Sequence, residues 1–159
     1  MARAQTMSND LEERLPVDTL LNGYWLPTIN AVIAIKRNNP TKAIEVLKTA
    51  GIYEQGLPPP SPEFGALLYP VYVRGQAYLL LHEGSEAAEE FQKFLDQRSL
   101  VANNPLFALA HLGLARAYIL QSDTAKAKAR YQDFLTLWKD ADPDIPILKQ
   151  AKAEYAKLQ

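Results

Sequence analysis

Apolar and polar residues alternate along this chain in blocks with the period of packed helices. In the segment after the polar turn Gln121-Ser122-Asp123-Thr124, residues Ala127, Tyr131, Phe134 and Leu135 fall at i, i+4, i+7 and i+8, one face of an α-helix. Shifting the chain by 40 residues superposes Ala77 on Ala117, Tyr78 on Tyr118 and Leu80 on Leu120, then Ala87 on Ala127, Phe91 on Tyr131, Phe94 on Phe134 and Leu95 on Leu135. The break in the earlier copy is His82-Glu83-Gly84-Ser85. A third copy lies upstream, where Ala31, Ala43, Leu47 and Ala50 repeat the offsets of Ala115, Ala127, Tyr131 and Phe134 around the turn Arg37-Asn38-Asn39-Pro40. Internal repetition with a short polar break predicts stacked helix-turn-helix units.

Helix starts are marked by a capping residue followed by proline: Asn39-Pro40, Ser61-Pro62 and Asn104-Pro105. The cap accepts a backbone amide, and proline suits the first helical position because no donor is needed there. Pro27 and Pro70 fall where first helices starting near Asp18 and Pro62 would already be running; such helices are either bent at proline or begin at it. The predicted architecture is all-α. It comprises a leading half-repeat (residues 3–15, from the offsets of Ala4, Ser8, Leu11 and Pro16), repeat 1 (18–50), a proline-rich connection (51–61), repeat 2 (62–98), repeat 3 (105–139) and a capping helix (144–158). The leading segment reads as the second helix of a repeat whose first helix lies further upstream. In the final helix Ile147, Leu148, Ala151 and Tyr155 form the apolar face, with Asp142 or Asp144 as its cap. The connection, with Pro58, Pro59, Pro60 and Pro62, is a stiff spacer expected to pack Ile52, Tyr53 and Leu57 onto the repeats; a polyproline ligand is the alternative.

Composition narrows the function classes. Seventeen basic residues against 18 acidic give a net charge of −1, which offers no strong field for nucleic acid or an anionic membrane. No apolar run approaches the roughly 18 residues a spanning helix needs. Cysteine is absent, so disulfides and thiolate metal sites are excluded, while cytoplasm and periplasm both remain open. His82 and His111 are the two imidazoles. His111, among Ala108, Leu109 and Leu112 with no carboxylate at ligand spacing, reads as a satisfied, partly buried histidine, and His82 as solvated. Asp140-Ala141-Asp142-Pro143-Asp144 lacks the glycine and distant glutamate of a calcium loop. No phosphate-binding glycine loop or nucleophile elbow occurs, and Lys126, Lys128 and Arg130 read as a solvated face. No cofactor, metal site or catalytic residue is expected.

The residues His111-Leu112-Gly113-Leu114-Ala115-Arg116-Ala117-Tyr118, then Ala127, Tyr131 and Phe134, resemble the tetratricopeptide repeat family, and the likeness covers nearly the whole chain. It departs from the family at Ser122, where the turn glycine is usual, at Phe94 and Phe134, where a small residue is usual, and in a spacing near 40 residues where about 34 is typical. The resemblance implies a right-handed α-α superhelix whose first helices line a concave face. On that face it places Trp25, Thr28, Val32, Lys36, Tyr69, Tyr72, Gln76, Leu109, Leu112 and Arg116 as the partner-binding set. The family's carboxylate clamp is missing, since Thr28, Val32, Val73, Leu109 and Gly113 stand at its positions. The stretch from Leu106 through Leu158 is also similar to repeat regions that follow bacterial serine/threonine kinase domains, which implies a scaffolding or sensory arm of a signalling protein. The expected function is therefore binding of a protein or peptide. Self-assembly and small-ligand binding in the groove are the alternatives; the latter would need clustered ionisable residues where the inner face offers Lys36 and Arg116.

Overall fold

A computed structural model describes residues 2–54, 68–101 and 104–158, and among these the chain is helical with no strand. Helix α1 (Ala2–Arg14) leads. Three hairpins follow: α2 (Leu26–Lys36) with α3 (Pro40–Leu47), α4 (Tyr69–Leu80) with α5 (Gly84–Asp96), and α7 (Pro105–Leu120) with α8 (Thr124–Leu137). The short α6 (Arg98–Val101) bridges the second and third hairpins, and α9 (Pro146–Ala156) closes the described chain.

The hairpin turns share one geometry. Asn38, His82 and Ser122 each adopt positive φ, at 58°, 59° and 62°. Each is followed by the residue preceding the second helix, Asn39, Glu83 or Asp123. Asn39 accepts the Lys42 amide at 3.1 Å and Asp123 the Lys126 amide at 3.0 Å. Asn104 caps α7 by accepting the Leu106 amide at 2.8 Å, and Pro40 and Pro105 occupy first-turn positions as their starts predict. The Ser61-Pro62 start lies outside the described residues. Pro70 sits in the first turn of α4, so there it begins the helix. Pro27 is accommodated differently: a π turn over Leu21–Trp25 precedes α2, with the Leu26 amide bonded to the Leu21 carbonyl. Widening the helix by one residue just before proline relieves the missing donor and the crowded carbonyl one turn back. Asp18 starts this stretch by accepting the Leu21 amide at 2.8 Å.

Two expectations need correction. The last helix is not capped by Asp142 or Asp144: Ile145 holds the N-cap position, and Asp142 accepts the Asp144 amide within the preceding turn. The start of the connection is a 3-10 helix over Lys48–Tyr53 in which Ile52 points to solvent at 80% exposure, whereas Tyr53 packs against Gly23. Leu57 lies outside the described residues.

The core sits between hairpins and forms three continuous segments. Ala31, Ala43 and Leu47 pack with Val73 and Ala77; Phe91 and Phe94 pack with Ala110, Leu114 and Ala117; Tyr131 and Phe134 pack with Leu148 and Ala151. Each second helix thus serves the next first helix as well as its own, which is why α7 is apolar around most of its circumference. The repeat positions read from the sequence, from Ala31 through Phe134, are buried, apart from the exposed Leu80 and Leu120 and the partly exposed Tyr78 and Tyr118 on the first helices and the partly exposed Leu135 on α8. Phe91 is the tightest element of this packing. A Cβ at Gly75 would lie 2.9 Å from its ring, and one at Gly113 2.5 Å, so two glycines on α4 and α7 open the slot that the ring fills.

A buried ion cluster joins the connection to the second hairpin. Arg74 on α4 pairs with Glu54 at 2.7 Å and with Glu90 on α5 at 2.7 Å, and Lys93 takes the other oxygen of Glu90 at 2.7 Å. The expected leading helix is present as α1, held to α2 by polar contacts: Ser8, buried, and Gln5 both bond to Asn30 Oδ1, at 3.0 and 3.2 Å.

The left-handed turn residues carry a conformational cost that glycine would relieve. Ser122→Gly and His82→Gly should each raise unfolding free energy by about 1 kcal/mol, and Asn38→Gly by less, because asparagine tolerates this region better. Midpoints of urea denaturation check the order; a fall in midpoint for Ser122→Gly would refute the turn geometry.

Candidate functional site: an apolar groove across the first helices

Helix α9 packs against α8, and α2, α4 and α7 lie side by side. Their common face holds a groove of about 560 Å³. Val32, Lys36, Tyr72, Gln76, Leu109, Leu112 and Arg116 of the expected set come together on its lining. Three of that set do not. Thr28 is buried, and its hydroxyl donates to the Tyr24 carbonyl at 2.6 Å, the usual internal bond of a helical threonine one turn on. Trp25 and Tyr69 turn toward one another, with ring centroids 6.2 Å apart, at the end of the hairpin interface outside the groove. The π turn accounts for part of this, since one added residue rotates everything before Leu26 relative to α2.

The groove also uses residues that the sequence did not single out for it. Ile35, Leu79 and Leu80 extend its apolar wall, and Ile147 and Gln150 close it from α9. Phe91 reaches it from a second helix because the paired glycines let its ring pass between α4 and α7. The coincidence of two glycines on first helices with an aromatic on the intervening helix was a signal in the sequence; the position of α9 was not.

Polar groups in the groove are few and mostly engaged. Arg116 grips Glu154 of α9 through Nε and an Nη atom at 2.9 and 3.0 Å, and the Tyr131 hydroxyl donates to the same carboxylate at 2.9 Å. A two-point arginine-carboxylate pair fixes α9 against α7 geometrically as well as electrostatically. Burial pushes the Tyr131 phenol up, as does its bond to Glu154, so it stays protonated as a donor. Tyr72 stacks edge-on against Phe91 and Phe94, and its phenol, also raised by burial, accepts from Gln76 at 3.3 Å. Among the described residues the groove lining contains no carboxylate or histidine. Among the described residues no group of three acidic, histidine or cysteine side chains is placed to hold a metal ion, and no helix is long and apolar enough to cross a membrane.

His111 faces away from the groove, toward α8. Contrary to its sequence reading, it has a carboxylate beside it: Asp133 Oδ2 lies 3.4 Å from Nδ1. Nδ1 is buried without hydrogen-bond geometry to any group, and the ring meets Phe107 edge-on. Asp133 is 22 residues away in sequence, so the juxtaposition exists only once α7 and α8 pair.

Comparison with known protein families, curated proteins and solved structures finds no match to this chain.

Burial lowers the His111 pKa below its ordinary 6.5, and Arg130 and Arg98 add to this while Asp133 opposes it. The folded state therefore binds fewer protons than the unfolded one between the lowered value and about 6.5, so stability from this site is complete above that window and declines as pH falls through it. His111→Gln should flatten the fall in denaturation midpoint below pH 6.5; an unchanged slope would show that other groups carry the acid sensitivity.

Proposed function

We propose that this protein is a non-catalytic interaction module of tetratricopeptide-like superhelical form, which holds a peptide or a segment of a partner protein in the groove across α2, α4, α7 and α9. The observation that carries this reading is the groove itself: uncovered aliphatic surface with Val32 at 38% and Leu80 at 47% exposure, lined by seven of the residues expected to meet a partner. An apolar trough with a few polar fixing points suits side-chain anchors of a bound chain. The equivalent turns and the hairpin-to-hairpin core support the superhelical form. The non-catalytic assignment rests on the polar inventory: Lys36 and Arg116 are the charged lining residues, and no base lies beside a nucleophile there. The resemblance of Leu106 through Leu158 to repeat regions that follow bacterial serine/threonine kinase domains supports reading the module as an arm of a larger signalling protein.

Selection of a displayed peptide library on the full chain tests the groove. Peptides so recovered should bind the double variant Val32→Asn/Leu80→Asn about ten-fold more weakly, since two apolar contacts are lost without a change of charge. Equal binding by both proteins, with unchanged melting curves, would exclude the groove.

A second reading, self-assembly, is favoured by a different surface. Met7, Leu15, Val17, Leu20 and Ile29, around α1 and the approach to α2, are all exposed, Val17 at 91%. Exposed apolar side chains in this number near one end of the chain suit a contact with a second copy. Light scattering over a dilution series should then report a dimer that persists at low concentration, and a monomer throughout would dismiss it.

A further inference from the structure

The groove continues past α7. Leu79 and Arg116 line both it and a second hollow of about 360 Å³, which runs along the end of α7 toward the end of α9. Ile119 and Leu120, each 38% exposed, supply apolar surface in this extension, and Lys157 and Leu158 edge it. The two hollows together make one trough with the Arg116–Glu154 pair crossing its middle.

The charges along this trough are unbalanced. Among the described residues, Lys36, Arg116 and Lys157 line it, against a single lining carboxylate, Glu154. That carboxylate is already engaged by Arg116 at 2.9 Å and by the Tyr131 hydroxyl at 2.9 Å. Lys36 lies in the last turn of α2, and Lys157 follows α9; neither has an ion-pair partner among the described residues. The trough is thus a basic, apolar strip on a chain whose total charge is −1.

We propose that the occupant of the trough is an acidic peptide, with large apolar side chains seated between α2 and α9 and carboxylates toward Lys36 at one end and Lys157 at the other. This rests on the groove being the binding site and adds the chemistry of the ligand. The apolar walls supply contact area, while the two exposed ammonium groups select the sign of the partner's charge and speed encounter. Neither lysine stands at a position of the clamp that the resemblance implies, so recognition need not involve a chain terminus; carboxylates of side chains satisfy the same charges. Because both lysines are exposed, the preference should weaken as salt shortens the screening length.

Two short fluorescein-labelled synthetic peptides test this against the full chain by fluorescence polarisation. Both carry the same central run of leucine and phenylalanine; one is flanked at each end by glutamates and the other by lysines. The glutamate peptide should bind roughly ten-fold more tightly at low salt, and the Lys36→Glu/Lys157→Glu variant should reverse the order. Equal affinity of the two peptides, or an order that survives the charge reversal, overturns the acidic assignment. If equal binding is also lost in Val32→Asn/Leu80→Asn, the groove stands and the charge selection falls. Binding of neither peptide likewise overturns the acidic assignment, while the library selection decides the groove separately. Circular dichroism melting curves confirm that each variant is folded.

Discussion

A helix hairpin with apolar side chains on both helices cannot close a core by itself; the organisation of this protein follows from how each hairpin borrows its neighbour to do so. Leu47, Phe91 and Tyr131 occupy the same place in successive second helices, and each is driven into the seam before the next first helix. Removal of this surface from water is the dominant favourable term. It also sets the sideways order of the first helices, because a side chain shared by two of them holds both at a fixed separation. Small residues make room for it, as Gly75 and Gly113 do for Phe91.

The groove is a by-product of that order. Second helices take the shared core, and first helices are left with a face that nothing in the described chain covers. The result is apolar surface in a place where no described hairpin buries it. The ends of the row are treated differently: α9 is fastened by Arg116, Glu154 and Tyr131 as well as by Leu148 and Ala151, whereas α1 meets α2 through Ser8, Gln5 and Asn30. A polar seam of hydrogen bonds is worth less than a shared core of similar extent, since each bond replaces one to water. The α1 end is therefore the weaker joint, and the α9 end the firmer one.

Buried charge is used sparingly and at seams. The Arg74, Glu54 and Glu90 cluster fastens the segment after α3 to the hairpin of α4 and α5. Such a cluster adds little net stability against an apolar replacement, but loss of one member strands the others, so it enforces one arrangement of the chain at that crossing.

Periodicity and turn signals alone determined the helical class, the repeat register, the caps at Asn39 and Asn104 and the buried set from Ala31 to Phe134. These are local or strictly periodic features, and a residue's neighbours one helical turn away are known before any folding. Seven of the expected groove residues were legible for the same reason, as positions on one face of regular helices. Tertiary structure alone decided the rest. Trp25 left the expected face because the π turn before Pro27 shifts the helical phase, and Thr28, on α2 itself, is buried by its neighbours. Arg116 met Glu154, Arg74 met Glu54 and Glu90, and His111 met Asp133 across helix seams, where partners stand many residues apart and no spacing rule links them. Phe91 reached the groove from a second helix only because packing brought two glycines to either side of its ring.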